Sequence, residues 1–247
     1  MGVTLEIVGC GDAFGSGGRF QSCYLLRSSG GLALVDCGAS APLALQQRRI
    51  SLCDIGTILL THLHGDHFGG VPFLLLDAAY NRPRTRTLQI AGPAGTESRV
   101  FETLELLFPG TPVRVRDRVP TRFVELAARS LAQVADLEVT AFPVIHPSGA
   151  PSFALRVGAD GRILAFSGDT QWDAVLLDVS RNADLFVCEC TTYRQRVPFH
   201  ISLDDLESHA AALTARQMLL VHMGEDMLAH ANRAAWPTAA DGQIIAL

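Results

Sequence analysis

The sequence predicts an α+β fold: two mixed β-sheets packed face to face, with helices outside. Three features point there. The N-terminal part reads as antiparallel strands, and mixed strands and helices follow. One plan, an apolar strand that ends on a histidine or an aspartate, recurs in both halves. No Pro/Gly/Ser-rich linker interrupts the chain, so residues 1–247 are expected to form one domain.

Val3 to Val8 alternates into a strand. Gly9-Cys10-Gly11-Asp12-Ala13-Phe14-Gly15 then looks like a dinucleotide loop, with Asp36 as its ribose acid. Such a loop must open a helix. Here Gly17-Gly18 follows, and then Phe20 to Leu26 reads as another strand, so the glycines are taken as a turn. Leu32 to Val35 is a third strand, ending in Asp36-Cys37-Gly38, and Pro42 to Arg48 reads as a helix. Thr57-Ile58-Leu59-Leu60 is a buried strand, Val71 to Tyr80 a helix, and Leu88 to Ala91 a strand before a Gly92-Pro93 turn. Thr96 to Phe108 repeats apolar residues at helical spacing, with Thr96 as its cap. Between Gly110 and Ala135, Arg and Val alternate at 113–116 and Phe123-Val124 suits a strand, but the pattern places no element firmly.

Leu137 to Ile145 alternates into a strand that runs into His146-Pro147. Ser152 to Val157 and Arg162 to Ser167 are strands joined through Asp160-Gly161, a strong hairpin signal. The second ends in Gly168-Asp169-Thr170. Asp173 to Val179 reads as a helix and Asp184 to Glu189 as a strand. Ser202, with Asp205 three residues on, makes a capping-box start for a helix to about Leu213. Gln217 to Val221 is a strand ending in His222-Met223-Gly224, Gly224 to Arg233 is helical, and Gln243 to Ala246 is a closing strand.

The chemistry concentrates in Thr61-His62-Leu63-His64-Gly65-Asp66-His67, where three imidazoles and a carboxylate fall within six residues between a strand and a helix. Divalent transition metals favour these donors. His62 and His64 are two apart on extended chain and point the same way. Asp66 and His67, beyond the glycine, can aim at a second position about 3.5–4 Å away, the spacing of two-metal hydrolytic sites. One histidine would read as a surface loop; four such residues behind a buried strand do not.

This stretch resembles the His-x-His-x-Asp-His signature of the metallo-β-lactamase superfamily, and the resemblance runs through nearly the whole chain. It implies the αββα sandwich. It also implies that His62, His64 and His146 hold one metal, that Asp66, His67 and His222 hold the other, and that Asp169 bridges them. Zn is the default, with Mn or Fe close behind. The family's Asp-x-Gly matches Asp36-Cys37-Gly38 and implies that Asp36 orients the ligands from behind; a simple turn residue is the alternative. Glu189-Cys190-Thr191-Thr192, with Phe199-His200-Ile201-Ser202 after it, resembles the paired motifs of the ribonuclease Z and phosphodiesterase branch. His200 stands before a helix start, a position that favours anions and disfavours a charged imidazole; an exposed loop histidine is its alternative. His209 and His230 fall within helices and are given no role.

The expected reaction is phosphodiester hydrolysis, with a bridging water brought towards a pKa of ~7 by two ions to form the attacking hydroxide. Asp66 orients that hydroxide, and His200, backed by Glu189, stabilises charge or protonates the leaving oxygen. Ribonuclease Z carries a tRNA-gripping arm between its later His and Asp ligands. Here only 22 residues separate His146 from Asp169 and the hairpin uses them, and Gln171-Trp172 stands where that family commonly has Arg-Pro. A small phosphodiester or nucleotide is therefore preferred, and RNA disfavoured. A tRNA 3′-processing enzyme without the arm, a lactone or thioester hydrolase, and a non-catalytic metal-binding module are the alternatives.

Composition agrees with a soluble enzyme: 48% hydrophobic and 18% charged residues supply a sizeable core. A net charge of −5 argues against a dedicated nucleic-acid binder. All 20 basic residues are Arg; the groups Arg82, Arg84, Arg86 and Arg114, Arg116, Arg118, Arg122 read as solvated faces, with anion contact as the alternative. Six cysteines without a Cys-x-x-Cys read as core residues, Cys188 and Cys190 sharing one face. Cys37 lies near the site, and a ligand role for it is disfavoured because the other ligands suffice. No apolar run approaches the ~18–20 residues of a membrane span, and the start has no basic segment of a secretory signal. A cytoplasmic protein is expected, with a homodimer left open.

Overall fold

The computed structural model describes residues 2–247. Strands β1 (Thr4–Gly9), β2 (Cys23–Ser28), β3 (Gly31–Val35), β4 (Ile55–Leu59), β5 (Leu88–Gly92) and β6 (Thr121–Glu125) form one sheet. Strands β7 (Leu131–Val134), β8 (Leu137–Pro143), β9 (Phe153–Ala159), β10 (Arg162–Phe166), β11 (Leu185–Glu189) and β12 (Met218–Val221) form the other. The last strand, β13 (Ile244–Ala246), returns to pair with β1, so the orders are β13-β1-β2-β3-β4-β5-β6 and β12-β11-β10-β9-β8-β7. The pairs from β3 to β6 and from β10 to β12 are parallel, and the others antiparallel.

Helices α1 (Ala41–Gln47), α2 (Gly65–Phe68), α3 (Val71–Tyr80), α4 (Thr96–Leu107) and α5 (Thr111–Arg118) accompany the first sheet, and α6 (Val175–Ser180), α7 (Leu203–Ser208) and α8 (Glu225–Ala229) the second. Leu5, Tyr24 and Leu26 meet Val139, Leu155 and Phe166 between the sheets. The rings of Tyr24 and Phe166 stack across that interface at 5.7 Å. Leu25, Leu34 and Ile58 point the other way, under Leu45, Leu74 and Val100 of the helices. A third cluster joins Phe186 and Leu220 to Leu176, Leu203 and Met227. Burial on both faces explains why β2 and β4 read as continuous apolar runs rather than alternating ones. This is the αββα sandwich. Among the described residues no helix is long and apolar enough to cross a membrane.

Several local expectations are corrected. Phe20 and Gln21 precede β2 instead of opening it, because side chains capture their amides: Phe20 N donates to Asp241 Oδ2 and Gln21 N to Ser40 Oγ. Gly95, not Thr96, caps α4, and the Thr96 hydroxyl donates back to Pro93 O. The Arg/Val alternation at 113–116 belongs to helix α5, which turns only Val115 fully inward and lays Arg116 over the Phe101 ring at 3.6 Å. The helix from Ser202 keeps its capping box but stops at Ser208. The helix expected to reach Arg233 ends at Ala229. Arg84 is no solvated residue: it is buried and donates to the carbonyls of Leu52 and Ile55.

The turn after β3 is pressed against the loop after β4. Cys37 N donates to His67 O, Ala39 N to Gly65 O, and Gly70 N to Cys37 O. A Cβ at Gly38 would lie 2.3 Å from Asp66 O and 2.7 Å from Gln21 Cβ, so glycine is required by close approach. Gly38→Ala is expected to cost ~1–3 kcal/mol of stability, the usual range for overpacking, read as a lower urea midpoint. An unchanged midpoint would show that the two loops separate freely.

Candidate metal centre

The strand ends collect at one edge of the sandwich. Asp36 follows β3, His62 and His64 follow β4, His146 follows β8, Asp169 follows β10, Glu189 ends β11 and His222 follows β12. Because β3 and β4 are parallel, as are β10 to β12, their C-terminal ends face the same way. His64 is extended at the N-cap of α2. Asp66 and His67 lie on the single turn of that helix, where the sequence reading had a strand-to-helix loop.

Two donor groups result: His62, His64 and His146, and Asp66, His67, Asp169 and His222, each with one donor atom per residue within 4.8 Å of the others. His146 Nε2 lies 2.9 Å from His64 Nδ1, and His222 Nε2 lies 3.2 Å from Asp66 Oδ2. Asp169 stands between the groups. Its Oδ1 is 3.2 Å from His67 Nε2. Its Oδ2 is 3.4 Å from His222 Nε2 and 3.8 Å from both His62 Nε2 and His146 Nε2. All seven expected ligands are thus brought together.

A second layer aims the rings. Asp36, buried, accepts from Thr61 N and Thr61 Oγ1 and pairs with His67 Nδ1 at 2.8 Å. With its proton on Asp36, the Thr61 hydroxyl accepts from His62 Nδ1 at 3.0 Å. His146 Nδ1 donates to Phe199 O at 3.0 Å. Each of these three imidazoles therefore turns Nε2 towards the centre. His62 Nε2, His67 Nε2 and Asp169 Oδ1 are buried without a hydrogen-bond partner. An orphaned buried polar atom costs ~1–3 kcal/mol, and converging imidazole and carboxylate donors are what a divalent cation satisfies. The donor set therefore fits a metal. Cys37 does not join it, since the thiol is buried under the helices and burial raises its pKa to about 12.

Burial disfavours charge on His62, His67, His146 and His222. At His67 the carboxylates of Asp169, Asp36 and Asp66 outweigh it and hold the pKa well above the usual value. At His222 burial is outweighed by Asp169 and the Asp66 hydrogen bond, and the pKa rises to about 9. Burial and the neighbouring His67 push His62 well below the usual value. Burial also lowers His146, with Asp169 offsetting only part of it. Burial would raise the two aspartates, but His222 and His67 hold Asp169, and His67 and His222 hold Asp66, below the usual carboxylate range.

His200 sits at the lip, its Nδ1 3.2 Å from Glu189 Oε2. Its ring is 5.1 Å from that of His146 and 5.6 Å from that of His222. Glu189 also accepts from Thr170 N, Ile201 N and Thr191 Oγ1. The expectation that a helix terminus disfavours charge on His200 is corrected: burial does oppose it, but the Glu189 carboxylate wins and raises the pKa. The short α7 already has its end satisfied by Ser202 and Asp205. Thr61, Thr191 and Phe199 were not assigned roles from sequence. Thr191 had a signal, as part of the Glu-Cys-Thr motif; the Phe199 carbonyl had none.

Residues 3–238 match the protein family described as Anti-Pycsar protein Apyc1. The chain is 28% identical over 237 residues to the Anti-Pycsar protein Apyc1 of Bacillus phage 010DV004, covering 91% of this chain and 90% of that protein. It is 31% identical over 148 residues to the ribonuclease Z of Lachnoclostridium phytofermentans, covering 60% of this chain and 46% of that protein, so the match spans under half of this relative's length. Among solved structures, the metallo-β-lactamase fold protein YhfI from Bacillus subtilis superposes with a TM-score of 0.80 over 100% of both chains at 20% identity. That likeness shows the metallo-β-lactamase fold.

In the metal-free chain His222 is expected to titrate near pH 9, against an ordinary 6.5. A raised folded pKa means that the stabilising charge is fully present below pH 6.5 and is lost as pH rises through about 9. An imidazole NMR titration of chelator-treated protein reads this directly. A midpoint near 6.5 would show that Asp66 and Asp169 do not hold the proton.

Proposed function

The chain belongs to the Anti-Pycsar protein Apyc1 family and is a metallo-hydrolase of the metallo-β-lactamase fold, and from this premise we propose that it hydrolyses a small phosphodiester or nucleotide. One observation carries the reading: the Glu189-backed His200 stands beside two adjoining donor groups, with Asp169 in one and 3.8 Å from His62 and His146 of the other. His62, His64 and His146 would hold one ion, Asp66, His67 and His222 the other, and Asp169 both. Imidazole supplies five of these seven ligands, which favours Zn over harder ions, with Mn and Fe as alternatives. When bound, the ions supply Lewis-acid activation of water and charge neutralisation at the phosphoryl oxygens.

The chain's own residues do the rest. Asp66 orients the attacking water. Water adds at phosphorus, one P–O ester bond breaks, and a phosphomonoester and an alcohol leave. His200 holds Nδ1 on Glu189, which frees Nε2 to face the substrate. The Glu189 carboxylate raises the His200 pKa and so favours a proton on the ring for the leaving oxygen. Asp36 and Thr61 keep His67 and His62 aimed as the charge changes. Carbonyl-ester hydrolysis needs no such donor. The interval from His146 to Asp169 is taken up by β9 and β10 and their turn, which disfavours a tRNA-gripping arm there.

Metal-loaded protein is expected to carry two ions per chain by elemental analysis. Asp169→Ala should lose activity and the occupancy of both positions together; a variant that keeps both ions and its rate would refute the bridging role. His200→Ala should retain its metals yet lose ~10²–10³-fold in kcat. The loss should shrink for p-nitrophenolate, which leaves without protonation. An equal small loss for good and poor leaving groups would return His200 to a loop histidine and favour ester hydrolysis.

A further inference from the structure

Thr191 stands between the Glu189–His200 pair and the donor group that holds His222. Glu189 ends β11 and Thr191 follows two residues on, the spacing that returns a side chain to the same face. Cys190 between them joins the apolar cluster under the helices. The backbone of Thr191 is pinned on both sides: its N–H donates to Ile201 O, and its carbonyl accepts from Gly224 N. The hydroxyl is therefore held where three residues meet it. Glu189 Oε2 lies at 2.7 Å, His222 O at 3.2 Å, and the Nδ1 atoms of His200 and His222 each at 3.3 Å.

A hydroxyl has one proton and two lone pairs. The carboxylate is the nearest acceptor and the only ionised one, so the proton goes there. The lone pairs are left for the imidazoles. His200 Nδ1 has the Glu189 carboxylate itself at 3.2 Å and does not need the hydroxyl. His222 Nδ1 has no other hydrogen-bond partner among the described residues. By accepting from it, Thr191 settles the proton of the neutral ring on Nδ1 and turns Nε2 into the donor group, 3.2 Å from Asp66 Oδ2 and 3.4 Å from Asp169 Oδ2. The same device serves the other group. Asp36 takes the Thr61 proton, Thr61 accepts from His62 Nδ1, and Asp36 also holds the His67 ring, as Glu189 holds that of His200. We propose that Thr191 is the positioning residue of the second donor group: it fixes the His222 tautomer that presents Nε2 to an ion, and it ties that ring to the carboxylate that holds His200. The inference rests on the two-ion reading above and deepens it, giving each ion position its own carboxylate–threonine–imidazole relay.

Thr191→Val keeps the shape of the side chain and removes the relay, and Thr191→Ser keeps the hydroxyl. Loss of the partner behind a ligand costs ~10–100-fold in metal affinity, and here it should fall on one ion. Cadmium-loaded protein gives one NMR resonance per ion. Under chelator competition, Thr191→Val should bind one ion ~10–100-fold more weakly than wild type and keep the other within about 2-fold; Thr191→Ser should restore most of the loss. Thr61→Val should weaken the other ion instead. Equal weakening of both ions in Thr191→Val, or of neither, would overturn the assignment. With metal in excess, the ratio of rates on poor and good leaving groups should stay at the wild-type value in Thr191→Val, because His200 keeps Glu189. A ratio that falls as in His200→Ala would place Thr191 in proton transfer and overturn the assignment too. A single cadmium resonance in wild type would overturn the two-ion reading, and the ring proton then judges Thr191 on its own. In chelator-treated protein the proton on His222 Nδ1, assigned by its absence in His222→Gln, should give a slowly exchanging signal that Thr191→Ser keeps and Thr191→Val loses. A signal unchanged in Thr191→Val would overturn the role of the hydroxyl whatever the ion count.

Discussion

Asp169 is almost wholly out of water, with four imidazoles within 3.8 Å of its carboxylate. Burying an ion costs several kcal/mol unless it is paired, so much of the surrounding architecture compensates that one group. Strand β10 carries it to the sheet edge. Gly168 then takes a left-handed conformation (φ +58), where a Cβ would lie 2.7 Å from Phe153 O. The imidazoles arrive from β4, α2, β8 and β12, elements of both sheets. Their charges are shared unevenly: His67 and His222 hold protons against the carboxylates, while burial keeps His62 and His146 neutral. The atoms still without a partner at His62, His67 and Asp169 mark where protons alone do not complete the set.

Asp36 ties this electrostatic problem to the fold. It adopts a left-handed conformation at the end of β3, φ 58, which a non-glycine residue keeps only when its surroundings demand it. Its side chain holds Thr61 and His67, and the residues after it are bonded to the α2 segment. The one-turn helix α2 could not persist alone in water, since helix nucleation is unfavourable. It exists because the turn after β3 clamps it. His222 repeats the device, with φ 57 at the end of β12 and its amide donating to Cys10 O.

What was legible in the sequence follows from this division. Both sheets, the two-sided burial and the convergence of strand-end histidines and aspartates could be read, because strand runs and the polar residues that end them are local signals. Asp36, too, stands where its Asp-x-Gly pattern placed it. The one-turn α2 was not legible, because its stability comes from another segment's backbone. Helix α5 hid behind an Arg/Val alternation, since only Val115 is fully buried and arginine stems cover the rest. The start of β2 was misplaced because Asp241 and Ser40, remote in sequence, claim the amides before it.

The two donor groups and His200 are mechanically one unit. His146 is oriented by the carbonyl of Phe199, the residue before His200, and Phe199 itself adopts φ 67. Glu189 holds His200, the amide of Thr170 beside Asp169, and the hydroxyl of Thr191, which in turn lies 3.3 Å from His222 Nδ1. One buried carboxylate thus reaches both donor groups and His200 without belonging to either donor group. Glu189 is on this geometry a positioning residue, and energies of substitutions here are not additive. Displacing the segment from Thr191 to His200 would change the aim of His146 and the position of the His200 ring together, so the two cannot be tuned separately within this fold.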